Sequence, residues 1–136
     1  MNILELYDFA EENSIEVDNF ALKEVKSMAV KAADIHAIAI DEEQFESSTE
    51  LKTALAHELG HHATDSFYNV NNHLDVRSKH EYRADKWAVQ QLTPKQDMIS
   101  ALKSGVTEVW ELAEYFEVTE ELIKRAMWIY FDKIIP

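Results

Sequence analysis

The chain contains no cysteine, so disulfides and thiolate ligands are excluded, and any metal site must be built from histidine and carboxylate side chains. That absence suits a reducing cytoplasm. No apolar run is long enough to span a bilayer. The first residues, MNILELYDFAEEN, lack a basic n-region and mix acids with apolar positions, so they read as an amphipathic helix rather than a signal peptide. A soluble, cytoplasmic chain is expected. Positive charge is scarce: 13 Lys plus Arg stand against 26 Asp plus Glu, a net charge of −13. Such a surface repels phosphate backbones and acidic headgroups, which argues against nucleic acid and membrane and favours a basic protein partner. Repeats, low-complexity tracts and linkers are absent too.

What remains is a 136-residue chain with 46% apolar and 29% charged residues, enough for one domain over 1–136 with its own core. Residues 2–12 read as a helix that breaks at Asn13 and Ser14. SMAVKAADIHAIAID, 27–41, reads as a hairpin turning near Ala33–Asp34, with His36, Ile38 and Ile40 on one face of its second strand. SSTE at 47–50 is a Ser-x-x-Glu capping box, which starts a helix there. Residues 65–79 are polar and turn-rich. HEYRADKWAVQQL restores helical periodicity until Thr93–Pro94 stops it, and Pro94 opens a further helix ending near Gly105. Residues 107–134 predict two helices about a tight turn at Glu117–Val118, the second capped by Thr119. The expected fold is α+β, mostly helical, with a small sheet or hairpin beside one central helix.

That helix carries ALAHELGHHATD, residues 54–65. His57, Glu58 and His61 form H-E-x-x-H. Residues four apart project together from a helix, so both imidazoles can reach one zinc ion. Glu58 points about 100° further round, where it can serve as base toward a metal-activated water. Leu51, Leu55 and Leu59 form one apolar stripe, and Ala56, Gly60 and Ala63 a second, very small one. The helix is thus expected to be buried on two sides. A mid-helix glycine costs about 1 kcal/mol against Ala, which a close approach by another backbone explains.

A catalytic zinc needs a third protein ligand and an open fourth position. Glu81 and Asp85, four apart on the next predicted helix, offer a ligand and an acceptor for the outer N–H of a ligand histidine. The metzincin extension fails, because Thr64 and Phe67 stand where glycine and histidine are needed. His62 reads as packing or surface, and His36 as structural. Tyr68, His73, His80 and Tyr82 lie near enough in sequence to supply an oxyanion or substrate donor.

TALAHELGHH followed by EYRADKWAVQQLTP resembles the ImmA/IrrE family of zinc metallopeptidases. The resemblance extends back to IHAIAID and forward to WELAEYFEVTEELIKRAMW, covering roughly residues 25–130. It implies His57 and His61 as zinc ligands, Glu81 as the third ligand, Glu58 as catalytic base and Asp85 as their support. It further implies cleavage of a helix-turn-helix repressor, as in members carried by phages and mobile elements. Arg83 and Trp87 depart from the usual acid and phenylalanine. Glu117 replaces the usual turn glycine in a helix-turn-helix-like segment, 107–134, too acidic to grip DNA.

The reading is therefore a zinc-dependent endopeptidase, with manganese also acceptable to a His-His-Glu site. Its substrate would lie extended beside the active-site helix, added to an edge strand at 35–40. The rival is an antirepressor that sequesters a repressor without cutting it. Hydrolysis of a small-molecule amide is a third reading.

Overall fold

A computed structural model describes residues 1–68 and 72–132. Helix α1 (Ile3–Glu12) opens under a reciprocal cap: the Glu5 N–H donates to Asn2 Oδ1 at 2.9 Å and the Asn2 N–H to Glu5 Oε1 at 3.0 Å. Leu6 and Ala10 face inward. Ser14, at φ 55°, turns the chain into strand β1 (Ile15–Asn19). This strand was not expected. Its sequence, IEVDN, is largely polar and only Ile15 is buried, so it shows little apolar alternation.

Strands β2 (Ser27–Ala32) and β3 (Ile35–Ile40) form the expected antiparallel hairpin, with Ala33 in the left-handed region at the turn. β1 then pairs with the other side of β3, in parallel, giving the order β1-β3-β2. β3 is therefore the central strand. The expectation that 35–40 offers an edge to a substrate is corrected, because both of its edges are already paired. The open edge nearest α2 belongs to β2.

Helix α2 (Ser48–Ala63) starts where SSTE placed it, with Ser47 Oγ accepting the Glu50 N–H at 3.1 Å. The return bond of a capping box is missing, since the Glu50 carboxylate instead accepts from Lys26 Nζ at 2.7 Å. Helix α3 (Leu74–Leu92) begins six residues before the expected start. Leu74 is 72% exposed and the first buried side chain is Ala84, so its early turns carry no core-facing stripe to read. Of the segment expected to be turn-rich, residues 69–71 lie outside the described residues.

Helix α4 (Lys95–Lys103) follows Pro94 and ends before Gly105, which has φ 98°. Helices α5 (Val109–Phe116) and α6 (Glu120–Phe131) flank a turn at Glu117, itself left-handed at φ 55°. Thr119 Oγ1 accepts the Leu122 N–H at 3.2 Å, as expected of a cap. The last stretch of the expected helix, 133–134, lies outside the described residues.

One apolar cluster joins these elements. Leu55 and Leu59 of α2 are fully buried with Leu6, Ile38, Ile40, Val89 and Met98, and so are Leu112 of α5 and Ile123 of α6. Each such side chain contributes roughly 1.5–3 kcal/mol. Two polar ties complete the packing of the C-terminal pair. Lys52 Nζ donates to the Phe116 carbonyl at the end of α5, at 3.2 Å, and Tyr130 Oη to the Thr93 carbonyl at 2.8 Å. The fold is α+β and mostly helical. No helix among the described residues is long and apolar enough to cross a membrane.

Candidate metal centre

The site begins with a missing side chain. A Cβ on Gly60 would lie 2.4 Å from the Ala84 carbonyl oxygen, well inside contact distance. Only hydrogen there lets α3 cross α2 this closely. The small stripe that permits the crossing is Ala56 and Gly60, both buried, whereas Ala63 is exposed. On α3 the facing residues are Ala84 and Ala88, and the same helical face carries Glu81 and Asp85 toward the histidines.

The three expected ligands converge. His57 Nε2 lies 2.8 Å from Glu81 Oε2, and His61 Nε2 lies 3.3 Å from Glu81 Oε1. All three ligating atoms fall within 4.8 Å of one another, a grouping able to hold one metal ion. Each outer nitrogen is tied to an acceptor. His57 Nδ1 donates to Asp85 Oδ1 at 2.7 Å, and His61 Nδ1 to the Ser66 carbonyl at 2.6 Å. With Nδ1 protonated in this way, a neutral ring keeps its Nε2 lone pair for a metal. The donor set therefore fits a divalent cation, and its two nitrogens and one carboxylate suit zinc or manganese.

The electrostatics agree. Burial of the His57 ring favours its neutral form, but Asp85 and Glu81, with Glu58 adding, outweigh burial and push it up to about 10. His61 is also raised, its burial overcome by Glu81 and the Ser66 carbonyl. Glu81 is held far below the usual carboxylate range by hydrogen bonds from His57 and His61, against its burial, with Tyr68 assisting. Protons on the imidazoles thus supply the positive charge that a cation would bring.

Glu58 is buried beside this centre, and its Oε2 accepts from Ser27 Oγ at 2.7 Å. Ser27 is the first residue of β2, the edge strand nearer α2. Both line a cleft of about 370 Å³ together with His57, Phe45, Leu122 and Arg125. Helix α6 is thus one wall of the cleft, and Arg125 Nη2 lies 3.5 Å from Asp85 Oδ2, behind the His57 bond.

Residues 13–127 match the family model described as the IrrE N-terminal-like domain, peptidase family M78. The chain belongs to this peptidase family. No curated protein and no solved structure matches it. The M78 match begins before β1 and ends within α6, so it takes in the cleft wall as well as the H-E-x-x-H helix.

Of the candidate donors, Tyr68 alone reaches the ligands, its Oη donating to Glu81 Oε1 at 2.6 Å. His80 stacks on Tyr68 at 6.2 Å and its buried Nδ1 has no partner among the described residues. His73 stands at the N-terminal boundary of α3 without a side-chain cap bond, Tyr82 is 42% exposed, and neither hydrogen-bonds to a site residue among the described residues. His62 and His36 face each other away from the ligands, Nδ1 to Nδ1 at 2.9 Å. Ser27, Ser66 and Arg125 were missed. Ser27 and Arg125 stand on other elements and Ser66 beyond the end of α2, at no helical spacing from the motif.

Proposed function

We propose that this M78 family member is a metal-dependent endopeptidase, with zinc the expected ion and manganese an acceptable one. His57, His61 and Glu81 hold the ion, and Asp85 and the Ser66 carbonyl orient the two rings. The observation that carries the reading is the pairing of that three-donor group with a buried, oriented carboxylate at Glu58, on the rim of a cleft. When bound, the ion supplies Lewis acidity to the attacking water and the scissile carbonyl.

The remaining chemistry belongs to the chain. Ser27 Oγ holds Glu58 Oε2, which leaves Oε1 to take the proton of the attacking water. The same carboxyl then delivers that proton to the departing amine nitrogen as the C–N bond breaks. Tyr68, released from Glu81 when a cation takes the carboxylate, is the donor placed to stabilise the oxyanion. An extended peptide fits the open edge of β2, whose first residue already touches the base. The acidic exterior favours encounter with a basic substrate, and a helix-turn-helix repressor, as the motif resemblance implies, has that character. Cleavage would release the genes it silences, in a phage or mobile-element setting and in the cytoplasm.

The test is incubation of zinc-loaded protein with such a repressor, followed by mass spectrometry for one discrete cut that a chelator prevents. Glu58→Gln should keep the metal and lower the cleavage rate by at least about 100-fold. Undiminished derepression by Glu58→Gln would instead mean that the protein acts by sequestering the repressor.

A further inference from the structure

Helix α5 turns Leu112 and Ala113 into the core and leaves an unusual outer face. Trp110 and Tyr115, each 56% exposed, stand with Glu111 and Glu114 around a groove of about 450 Å³ that Val106 also lines. The groove is partly organised. The Tyr115 ring packs edge-on against Phe116 with centroids 4.9 Å apart, and Glu111 Oε1 accepts the Glu108 N–H at 3.2 Å. Residues 104–123 contain six glutamates, Glu108, Glu111, Glu114, Glu117, Glu120 and Glu121, and no lysine or arginine. Two large aromatic surfaces in water, flanked by carboxylates and with no cation among the groove's lining residues, call for a partner that is flat, apolar on its faces and positive.

A guanidinium has those properties. It stacks on indole and phenol rings, is weakly hydrated, and donates in a fork that matches a carboxylate. An ammonium matches the charge alone. We propose that the Trp110–Tyr115 groove docks an arginine-bearing segment of a basic protein, apart from the metal centre. A second copy of this chain is disfavoured as occupant by its own net charge of −13. Helix α5 packs beside α6, which walls the cleft, so a chain anchored here can run on toward Glu58. If the endopeptidase reading holds, the groove is an exosite for its substrate; the docking itself needs neither metal nor cleavage.

The experiment uses the full chain as Glu58→Gln, so that nothing is cut. It is titrated calorimetrically with an acetylated, amidated helical peptide bearing arginines along one face, and with its lysine twin. Trp110→Ala and the double variant Glu111→Gln/Glu114→Gln should each weaken arginine-peptide binding about tenfold, and the lysine twin should bind about tenfold more weakly than the arginine peptide. Glutamine at 111 still accepts the Glu108 N–H, so the double variant keeps the helix cap. A control, Glu11→Gln/Glu12→Gln on α1, removes equal charge elsewhere and should leave affinity within about twofold.

Equal weakening by the control, or indifference to Trp110→Ala and to the peptide's cation, would reduce the groove to unspecific charge and overturn the proposal. So would wild-type dimers in sedimentation that Trp110→Ala dissociates. Binding that a chelator abolishes would place the peptide in the cleft instead. Failure to cut any repressor, with groove binding intact, would sink the endopeptidase reading and leave this one standing.

Discussion

Two histidine pairs meet at the same end of α2, one wholly on that helix and one joining it to β3, and they have opposite fates. The His57 and His61 rings lie 4.9 Å apart at 86°, and the His36 and His62 rings 5.1 Å apart at 57°. His61 and His62 are neighbours in the chain. The first pair faces carboxylates from α3 and both rings are raised. The second faces none at hydrogen-bond range among the described residues, and burial lowers His62. Its ring is satisfied as a neutral group: Nε2 donates to the Ala37 carbonyl at 2.9 Å, and Nδ1 accepts from His36. One pair, with Glu81, forms a group able to hold a cation, and the other is a strut between α2 and β3. The residue type does not decide this; the charge across from it does.

The largest expected break in that contrast is removal of the shared acid. Glu81→Ala should abolish stoichiometric zinc binding in calorimetry, whereas His62→Asn should leave the affinity within about twofold. Next comes Asp85→Asn, which leaves the donor atoms in place and should lower metal affinity by about 10–100-fold. The same residue sharpens the comparison through pH. With His57 up at about 10, binding a metal at neutral pH must release its proton, so apparent affinity should rise at least about tenfold per unit from about pH 7 to 10, the raised His61 steepening the rise at its lower end. Asp85→Asn should flatten that slope.

The two pairs should also bend metal-free stability in opposite directions. His57 is raised above its ordinary 6.5, so its contribution is complete below that value and lost as pH climbs through about 10. His62 is lowered, so its contribution is complete above 6.5 and lost as pH falls through its folded value. Denaturation of the metal-free protein across pH checks both signs. His62→Asn should remove only the acid-side loss and cost about 1 kcal/mol. Ser27→Ala should reduce the cleavage rate about tenfold at unchanged metal affinity, since the Glu58 carboxylate loses its one hydrogen-bonded anchor among the described residues. An equal loss of zinc binding would make Ser27 a prop of the fold rather than of the base.

What the sequence disclosed follows from spacing along single helices. His57 with His61, and Glu81 with Asp85, are each one turn apart, so a four-residue interval already sets two donors side by side. Gly60 disclosed that something approaches α2, though not that it is the Ala84 carbonyl. Contacts between elements left no such trace. Ser27 meets Glu58 only because β2 runs beside α2, and Arg125 meets Asp85 only because α6 folds back across α3. The hairpin at 27–40 was legible from two small-apolar runs flanking a turn, but not its rank in the sheet. β1 claims the far side of β3 with a strand whose polar positions point to water. Likewise the first turns of α3 bury no side chain fully, and only the polar Arg77 and His80 turn inward onto Tyr68, so apolar periodicity has nothing to register before Ala84.

The hydrogen at position 60 acts as a spacer of zero thickness between two rods. A methyl group there would wedge the rods apart near their crossing, and the carboxylate borne by one would retreat from the rings borne by the other. The centre's dimensions are thus written into the one place on that helix where nothing protrudes.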